Sequence, residues 1–328
     1  MDPSSEYSDE SGNGGDLVLA TNLNKARTIV LVGRAGNGKS ATGNSILGKT
    51  VFHSVCSSTG VTSITEMHST EFNDGHVNGR VINVIDTIGL FDSDVNSSVL
   101  GKEIVKCVDL AKDGIHALVL VLSVRTRFTT EEATSLKILM GLFGPEFPNY
   151  MIVLFTGGDE LRERNETLDD YLRRGCSDAL NDVFRACNNR RLLFDNTTND
   201  SVIQGKQRQD LFELIEKVLE DNGQKPYTDQ TLEKFRENRR KLSEIKKATD
   251  TSAGCTRQDM LEMRERLQRE HEEHSRQMAG QIEARLMEII ERFREELERE
   301  YKARLDGGFK IWRVGTRLDT FSIFVMFM

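Results

Sequence analysis

Eight residues near the start of this chain have the types and spacing of a phosphate-binding loop. They follow a β-branched, apolar run, 28–32, and read Gly33, Arg34, Ala35, Gly36, Asn37, Gly38, Lys39 and Ser40. Glycines let the backbone curl until successive N–H groups face phosphate oxygens, and a helix that begins at the loop adds the positive end of its dipole. We predict that residues 33–40, with Ala41 directly after them, bind a nucleoside triphosphate. The alternative, an ordinary glycine-rich turn, is disfavoured by the preceding strand.

Two further positions are predicted to act on the phosphates and their metal ion. Lys39 is placed to reach the β- and γ-phosphates, and Ser40 to coordinate Mg²⁺. Downstream of a later apolar strand comes the D-x-x-G motif Asp86-Thr87-Ile88-Gly89. Asp86, at the strand end, is expected to hold Mg²⁺ through a water molecule, and the N–H of Gly89 to sense the γ-phosphate. This combination is typical of a nucleotide switch.

A small polar loop between these motifs could supply the switch threonine. Of its hydroxyls, that of Thr62 is our choice as a Mg²⁺ ligand, with Thr59 and Thr65 as close alternatives. The other interpretation is an ordinary Ser/Thr loop without a ligand role.

The base is predicted to be guanine. Phe155-Thr156-Gly157-Gly158-Asp159 follows an apolar strand, at the place where guanine-specific proteins carry N/T-K-x-D. A carboxylate at Asp159 accepts hydrogen bonds from guanine N1–H and the 2-amino group. Adenine lacks both donors, and an unpaired buried carboxylate costs about 1–3 kcal/mol. Gly157 replaces the lysine whose stem usually stacks on the base, so we expect a preference for guanine but a reduced affinity. Asn196, after the last strand, is a candidate second contact.

The chain from residue 25 to 222 alternates apolar strand-like runs with helical stretches, which indicates an α/β domain with a mostly parallel sheet. We predict strands over 27–32, 65–72, 80–86, 116–124, 150–155 and 191–194. A turn at 73–75 joins the second and third as a hairpin and so makes one antiparallel edge. Helices are expected to begin at the phosphate loop, near Ser97, at Thr129, near Thr167 and near Gln207. The fold class is therefore a P-loop GTPase domain with six strands and five helices.

The two ends of the chain differ from this domain. Residues 1–24 are acidic and Ser/Gly-rich, which predicts a disordered leader and excludes a signal peptide. Residues 223–306 have the Glu, Arg, Lys and Leu composition of long helices, which predicts a coiled coil or folded-back hairpin, with a solvated single helix as the alternative. The apolar segment 321–328, at the end of the tail 307–328, is too short to span a membrane. It is a candidate membrane-surface anchor or docking peptide, with a truncated or spliced end and a frayed tail as alternatives.

Charge and cysteine content limit the partners. The net charge is −8 and much of it lies in the leader, so a nucleic-acid partner is not indicated. The five cysteines are odd in number and form no C-x-x-C pair, as expected of reduced thiols. We therefore expect a cytoplasmic protein, with a peripheral association with an intracellular membrane as one option.

Several blocks together resemble the avirulence-induced, immunity-associated GTPases, the AIG/GIMAP family, and the Gly-Gly-Asp form resembles its plant branch. The resembling blocks are 33–48, 86–92, 128–132, 142–145 and 155–159. The resemblance implies binding of GTP and GDP with Mg²⁺, nucleotide-dependent dimerisation through the G domain, frequent membrane association and a link to defence or stress. Two residues depart from the family pattern: Ile88 stands in place of proline, and Asp195 in place of asparagine.

Hydrolysis is expected to be slow, because Leu90 stands where Ras-like proteins have a water-orienting glutamine. A partner subunit could supply the missing charge stabilisation. Arg127, just after the fourth strand, is the candidate for this role in trans, with Arg125 second, since that edge of the sheet carries the nucleotide. A surface arginine in an ion pair is an equal alternative.

Two functions follow from these residues. The first is a GTPase switch that forms a homodimer through its G domain in the GTP state. The second is a nucleotide-locked scaffold with negligible hydrolysis that acts through its helical extension. A generic ATP-binding protein is disfavoured by Asp159.

Overall fold

A computed structural model describes residues 26–54, 64–72, 80–89, 96–228, 233, 237 and 257–306. Several predictions concern residues outside these ranges and stay predictions: the acidic leader 1–24, the switch threonine Thr62, the hairpin turn at 73–75, Leu90 and the apolar tail 307–328. The cytoplasmic location and the membrane contact stay predictions too.

The described strands form one six-stranded sheet in the order β2-β3-β1-β4-β5-β6. Every residue of the three strands β1, β4 and β5 is buried, because central parallel strands are covered on both faces. The pairing of β2 with β3 is antiparallel, and all other pairings are parallel. This confirms the predicted mostly parallel α/β sheet with an antiparallel edge. The strand bounds are β1 Arg27–Val32, β2 Glu66–Phe72, β3 Arg80–Asp86, β4 Ala117–Ser123, β5 Met151–Thr156 and β6 Arg191–Phe194.

Eight helices lie in the described part of the chain. They are α1 Lys39–Leu47, α2 Ser97–Leu110, α3 Thr130–Phe143, α4 Gly158–Glu163, α5 Leu168–Gly175, α6 Asp178–Ala186, α7 Ser201–Asp221 and α8 Arg257–Asp306, with a 3₁₀ turn at Phe147–Tyr150.

Most helix starts follow from capping chemistry that the sequence contains. Thr129 caps α3 in a reciprocal box with Glu132, and Thr167 caps α5 with Asp170. The predicted start near Gln207 is six residues late, because the Asp200 carboxylate accepts the N–H groups of Val202 and Ile203 and begins α7 at Ser201. The short helices α4 and α6 are absent from the sequence prediction.

The long helix α8 packs on the G domain instead of standing free along its whole length. Five residues on one face of the helix are buried: the neighbours Met278 and Ala279, then Ile282, Leu286 and Ile289 at steps of three or four. They face α2 and α3.

The direction of α8 follows from its contacts with α2. The His271 imidazole lies 3.5 Å from the Asp109 carboxylate, and Met287 accepts a hydrogen bond from Ser97. Residue numbers therefore rise along α8 as they fall along α2, so the two helices are antiparallel. A Cβ on Gly101 would lie 3.0 Å from the Ala279 carbonyl oxygen, so the helices approach closely where α2 has no side chain. The coiled-coil interpretation of residues 223–306 stays a prediction.

An aromatic cluster connects the segment after α7 to the end of α3 and the 3₁₀ turn. The Tyr227 ring packs on Phe143, Phe147 and Tyr150, and its hydroxyl donates to the Phe143 carbonyl. Its backbone N–H donates to the Ile115 carbonyl at 2.7 Å.

Among the described residues, no helix combines the length and apolar character needed to cross a membrane.

Replacing Leu286 by alanine tests the docking of α8. Leu286 has no exposed surface, and deleting a buried leucine side chain costs about 2–5 kcal/mol. The free energy of unfolding, measured by urea denaturation, should therefore fall by that amount. Glu288, two positions along the same helix, is exposed, and Glu288→Ala should cost less than about 0.5 kcal/mol. Equal effects of the two substitutions would mean that this face of α8 is not packed on the domain.

Candidate functional site

The phosphate loop connects β1 to α1 and lies against the carboxyl ends of β4 and β5. Gly33 has φ +143°, and a Cβ there would lie 2.4 Å from the Val121 carbonyl oxygen, so only glycine allows this approach. The Asn37 side chain is buried and donates to the same Val121 oxygen and to Glu132. Glu132 also accepts the Thr129 N–H, so the loop is joined to the start of α3.

Lys39 lies at the first position of α1 and its side chain is buried. Its ammonium donates to the carbonyl oxygens of Gly33 at 2.9 Å and Arg34 at 3.1 Å. The cation is thus held over the curled loop, where phosphate oxygens would meet both the ammonium and the backbone N–H groups. The contact of Lys39 with the β- and γ-phosphates stays a prediction.

The predicted metal ligands lie next to each other. Ser40 Oγ donates to Asp86 Oδ2 at 2.6 Å, which joins the first turn of α1 to the end of β3. Burial raises the pKa of Asp86, while the Ser40 hydrogen bond and the Lys39 charge oppose that shift. Asp86 Oδ1 is buried and has no hydrogen-bond partner among the described residues. A hydroxyl with a partly unsatisfied carboxylate is an oxygen donor set that fits Mg²⁺.

Thr62, the predicted switch threonine, lies outside the described residues, so its role as a Mg²⁺ ligand stays a prediction. Its alternative Thr65 is described: it is 1% exposed, and its Oγ1 has no hydrogen-bond partner among them. Thr65 immediately precedes Glu66, which pairs with Asp86 across the β2–β3 ladder. Gly89 is buried at the end of a described segment, three residues beyond Asp86.

The base motif begins at the end of β5. The Thr156 hydroxyl contacts the carbonyl oxygens of Asn37 at 2.9 Å and Leu122 at 3.3 Å, so this motif is fixed to the phosphate loop. Asp159 lies in the first turn of α4, and its Oδ2 accepts from Arg125 Nη2 at 2.9 Å. The structure therefore brings the phosphate, metal and base residues to the same edge of the sheet.

Asn196 contacts helix α1 through both atoms of its amide. Its Oδ1 accepts from the Ser45 hydroxyl at 2.8 Å, and its Nδ2 donates to Thr42 Oγ1 at 3.0 Å. These bonds fix the β6–α7 loop beside the phosphate-binding helix. They give Asn196 a structural role alongside the predicted base contact, which stays a prediction.

Asp195, the departure from the family pattern, has its own partners. Its side chain is 5% exposed and forms an ion pair with Arg162 at 2.5 Å, while its Oδ1 accepts the N–H and hydroxyl of Thr197. Burial raises the pKa of Asp195, but the Thr197 hydrogen bonds and the Arg162 charge outweigh it and lower the pKa overall. Gln207 accepts the Asp195 N–H. An aspartate is accommodated here because α4 supplies a cation.

The two candidate arginines have different surroundings. Arg127 is exposed in the loop after β4 and forms no ion pair with any residue that the structure describes. Arg125 contacts Asp159 and Glu160 of its own chain. Sequence reasoning missed this contact and that of Arg162 with Asp195, because each joins residues more than thirty positions apart. The Thr129–Glu132 box, in contrast, is visible in the spacing of the FTTEE block.

These contacts define the nucleotide site of a P-loop GTPase domain. The chain belongs to the AIG1 family, whose model matches residues 27–246. Among its relatives, immune-associated nucleotide-binding protein 9 of Arabidopsis thaliana is 42% identical over 90% of this chain and 86% of that protein. Immune-associated nucleotide-binding protein 4 of the same plant is 43% identical over 84% and 83%. The predicted plant-type family membership is confirmed.

Solved structures with a similar fold are more distant in sequence. Toc33 from Arabidopsis thaliana in complex with GDP and Mg²⁺ is 18% identical, with a TM-score of 0.42 over 60% of this chain and 86% of that one. Era from Aquifex aeolicus bound to GDP and AlF₄⁻ is 12% identical, with a TM-score of 0.39 over 62% and 58%.

The Arg162–Asp195 pair can be tested by a double-mutant cycle. Arg162→Ala leaves a buried carboxylate without its cation, and because the arginine is half-exposed we expect a loss of about 1–2 kcal/mol in the free energy of unfolding. Asp195→Asn removes the charge and should restore most of that loss in the double variant. Additive losses in chemical denaturation would show that the pair is not coupled.

Proposed function

We propose that this protein binds GTP with Mg²⁺ and hydrolyses it slowly, as a switch that forms a homodimer through its G domain in the GTP state. The observation that carries the proposal is the shared edge of the sheet: Ser40 meets Asp86 at 2.6 Å while Thr156 contacts Asn37 of the phosphate loop at 2.9 Å. A triphosphate, its metal ion and a base need these three elements side by side. The names of the relatives, immune-associated nucleotide-binding proteins, support a role in defence or stress responses.

Each residue has a defined task in this proposal. Lys39 and the loop N–H groups neutralise the β- and γ-phosphates, and Gly89 senses the γ-phosphate. Ser40 and Asp86 would hold Mg²⁺ through their side-chain oxygens. Bound Mg²⁺ supplies charge neutralisation between the phosphates. Asp159 accepts the donors of guanine and so selects the base.

The base assignment predicts the effect of Asp159→Asn. An amide presents donors to the donors of guanine, whereas adenine lacks that pattern, so GTP affinity should fall at least about tenfold and ATP affinity should change little. Fluorescence titration with labelled GTP and ATP measures both constants. Equal losses for the two nucleotides would place the base elsewhere.

Dimerisation would complete the site if one subunit supplies an arginine to the other. Arg127 suits this task, because it is exposed and outside any ion pair among the described residues. A planar guanidinium can neutralise charge that develops on the transferred phosphoryl group. The arginine would then raise hydrolysis only in the dimer.

Arg127→Ala should bind GTP normally but lose the part of hydrolysis that rises with protein concentration, a loss of about 10³-fold or more at saturation. Multiple-turnover assays over a range of protein concentrations measure this. Mixing Arg127→Ala with a Lys39→Ala chain should restore part of the hydrolysis if the empty subunit still docks, since it offers its own Arg127 to the loaded site of its partner. Full concentration-dependent turnover by Arg127→Ala alone would rule out this arginine.

The second candidate is a nucleotide-locked scaffold with negligible hydrolysis. The observation in its favour is α8, whose middle is docked on α2 and α3. Beyond Phe293, exposed charged side chains follow at Arg294, Glu295, Glu296, Glu298, Arg299 and Lys302. Specific activity that stays near zero at every protein concentration supports the scaffold. Rising specific activity supports the switch.

A further inference from the structure

Position 157 has no room for the lysine that guanine-specific proteins usually have in their base motif. Gly157 has φ +92°, a conformation that side chains rarely adopt, and a Cβ there would lie 2.6 Å from Val124 Cγ2. The loop after β4 therefore excludes a side chain at this position.

The space beside Gly157 is occupied by Arg125. Its Cγ and Nε each lie 3.9 Å from the position that a Cβ on Gly157 would take. An aliphatic stem followed by a cation is therefore present where the motif lysine would begin, but it comes from the neighbouring strand end.

The Arg125 guanidinium contacts Asp159, the carboxylate that is predicted to bind the guanine base. Its Nη2 donates to Asp159 Oδ2 at 2.9 Å, and its Nε donates to Glu160 Oε1 at 2.6 Å. A guanidinium that bridges two neighbouring carboxylates has one favoured plane, so it fixes the orientation of Asp159. A carboxylate offers about four acceptor positions, so this contact leaves room for the two donors of guanine.

The backbone around Arg125 is fixed to the same strand ends. The Val124 N–H donates to the Thr156 carbonyl at 3.0 Å, and the Arg125 N–H donates to Ser123 Oγ at 3.2 Å. Since Thr156 also contacts the phosphate loop, Arg125 and the loop have a common support. The arginine is positioned by the G domain itself, independently of a second subunit.

We infer that Arg125 replaces the missing motif lysine in cis: its stem and guanidinium cover the face of the guanine and orient Asp159. This inference rests on the proposed binding of guanine nucleotides and assigns Arg125 to the base rather than to trans catalysis. A guanidinium stacks well on a planar aromatic ring. A glycine at position 157 is then compatible with guanine affinity.

The test compares GDP with inorganic tripolyphosphate, which has no base. Arg125→Ala should weaken GDP binding about tenfold, because it loses the stacking and the oriented carboxylate, and should leave tripolyphosphate binding within about twofold. Arg125→Lys, which keeps the stem and charge but not the fork, should fall between wild type and alanine. Arg173→Ala is the matched control: it removes the same charge from a 74% exposed site on α5.

A second variant separates the base contact from the stability of α4. Glu160→Gln removes a partner of Arg125 that lies outside the base motif, and it should weaken GDP less than about threefold. A loss as large as that of Arg125→Ala would assign the effect to α4 and overturn the inference. So would a parallel loss of tripolyphosphate binding in Arg125→Ala.

The remaining outcomes are also decisive. If Arg125→Ala binds GDP as tightly as wild type, or more tightly, the arginine does not support the base and the inference is wrong. If wild type does not prefer GDP to ADP, the proposed function fails and the inference fails with it. A wild type that prefers GDP, with an unchanged Arg125→Ala, overturns the inference alone.

Discussion

The close approach of the phosphate loop to the end of β4 is the constraint on which the site depends. Gly33 lies on the Val121 carbonyl, and Asn37 donates to the same oxygen. The Thr156 hydroxyl reaches the Asn37 carbonyl from β5. The end of β4 thus fixes the position of the phosphate loop, and the end of β5 fixes the start of the base motif beside it. Because α1 begins directly after the loop, the contacts of the loop with β4 and β5 also position Lys39 and Ser40.

The base end of the site is built from ion pairs that span separate loops. Arg125 joins the β4 loop to Asp159, and Arg162 joins α4 to Asp195. Both differences from the usual motifs, a glycine at 157 and an aspartate at 195, have a nearby arginine that accommodates them. Such compensation places the chemistry of a motif on residues outside it.

The sequence predicts local features well and long-range pairings poorly. Apolar runs located all six strands to within a residue or so, and the Thr129 cap and the β2–β3 edge were evident from residue types. Helix α4 has only six residues, too few to show a periodicity, and Asp200 begins α7 earlier than the apolar pattern indicates. The contacts of Arg125 and Arg162, and the packing of α8 on α2, depend on which loops the fold brings together. No spacing along the chain encodes that information.

The Tyr227 cluster determines where the globular unit can be cut. A fragment that ends soon after α7 would lack Tyr227, and the rings of Phe143, Phe147 and Tyr150 would lose the aromatic partner that covers them. It would also leave the Ile115 carbonyl without its backbone donor. Contiguous aromatic surface of this kind promotes association between molecules. A fragment that is to contain the whole nucleotide-binding domain without exposing these rings must therefore extend beyond residue 227.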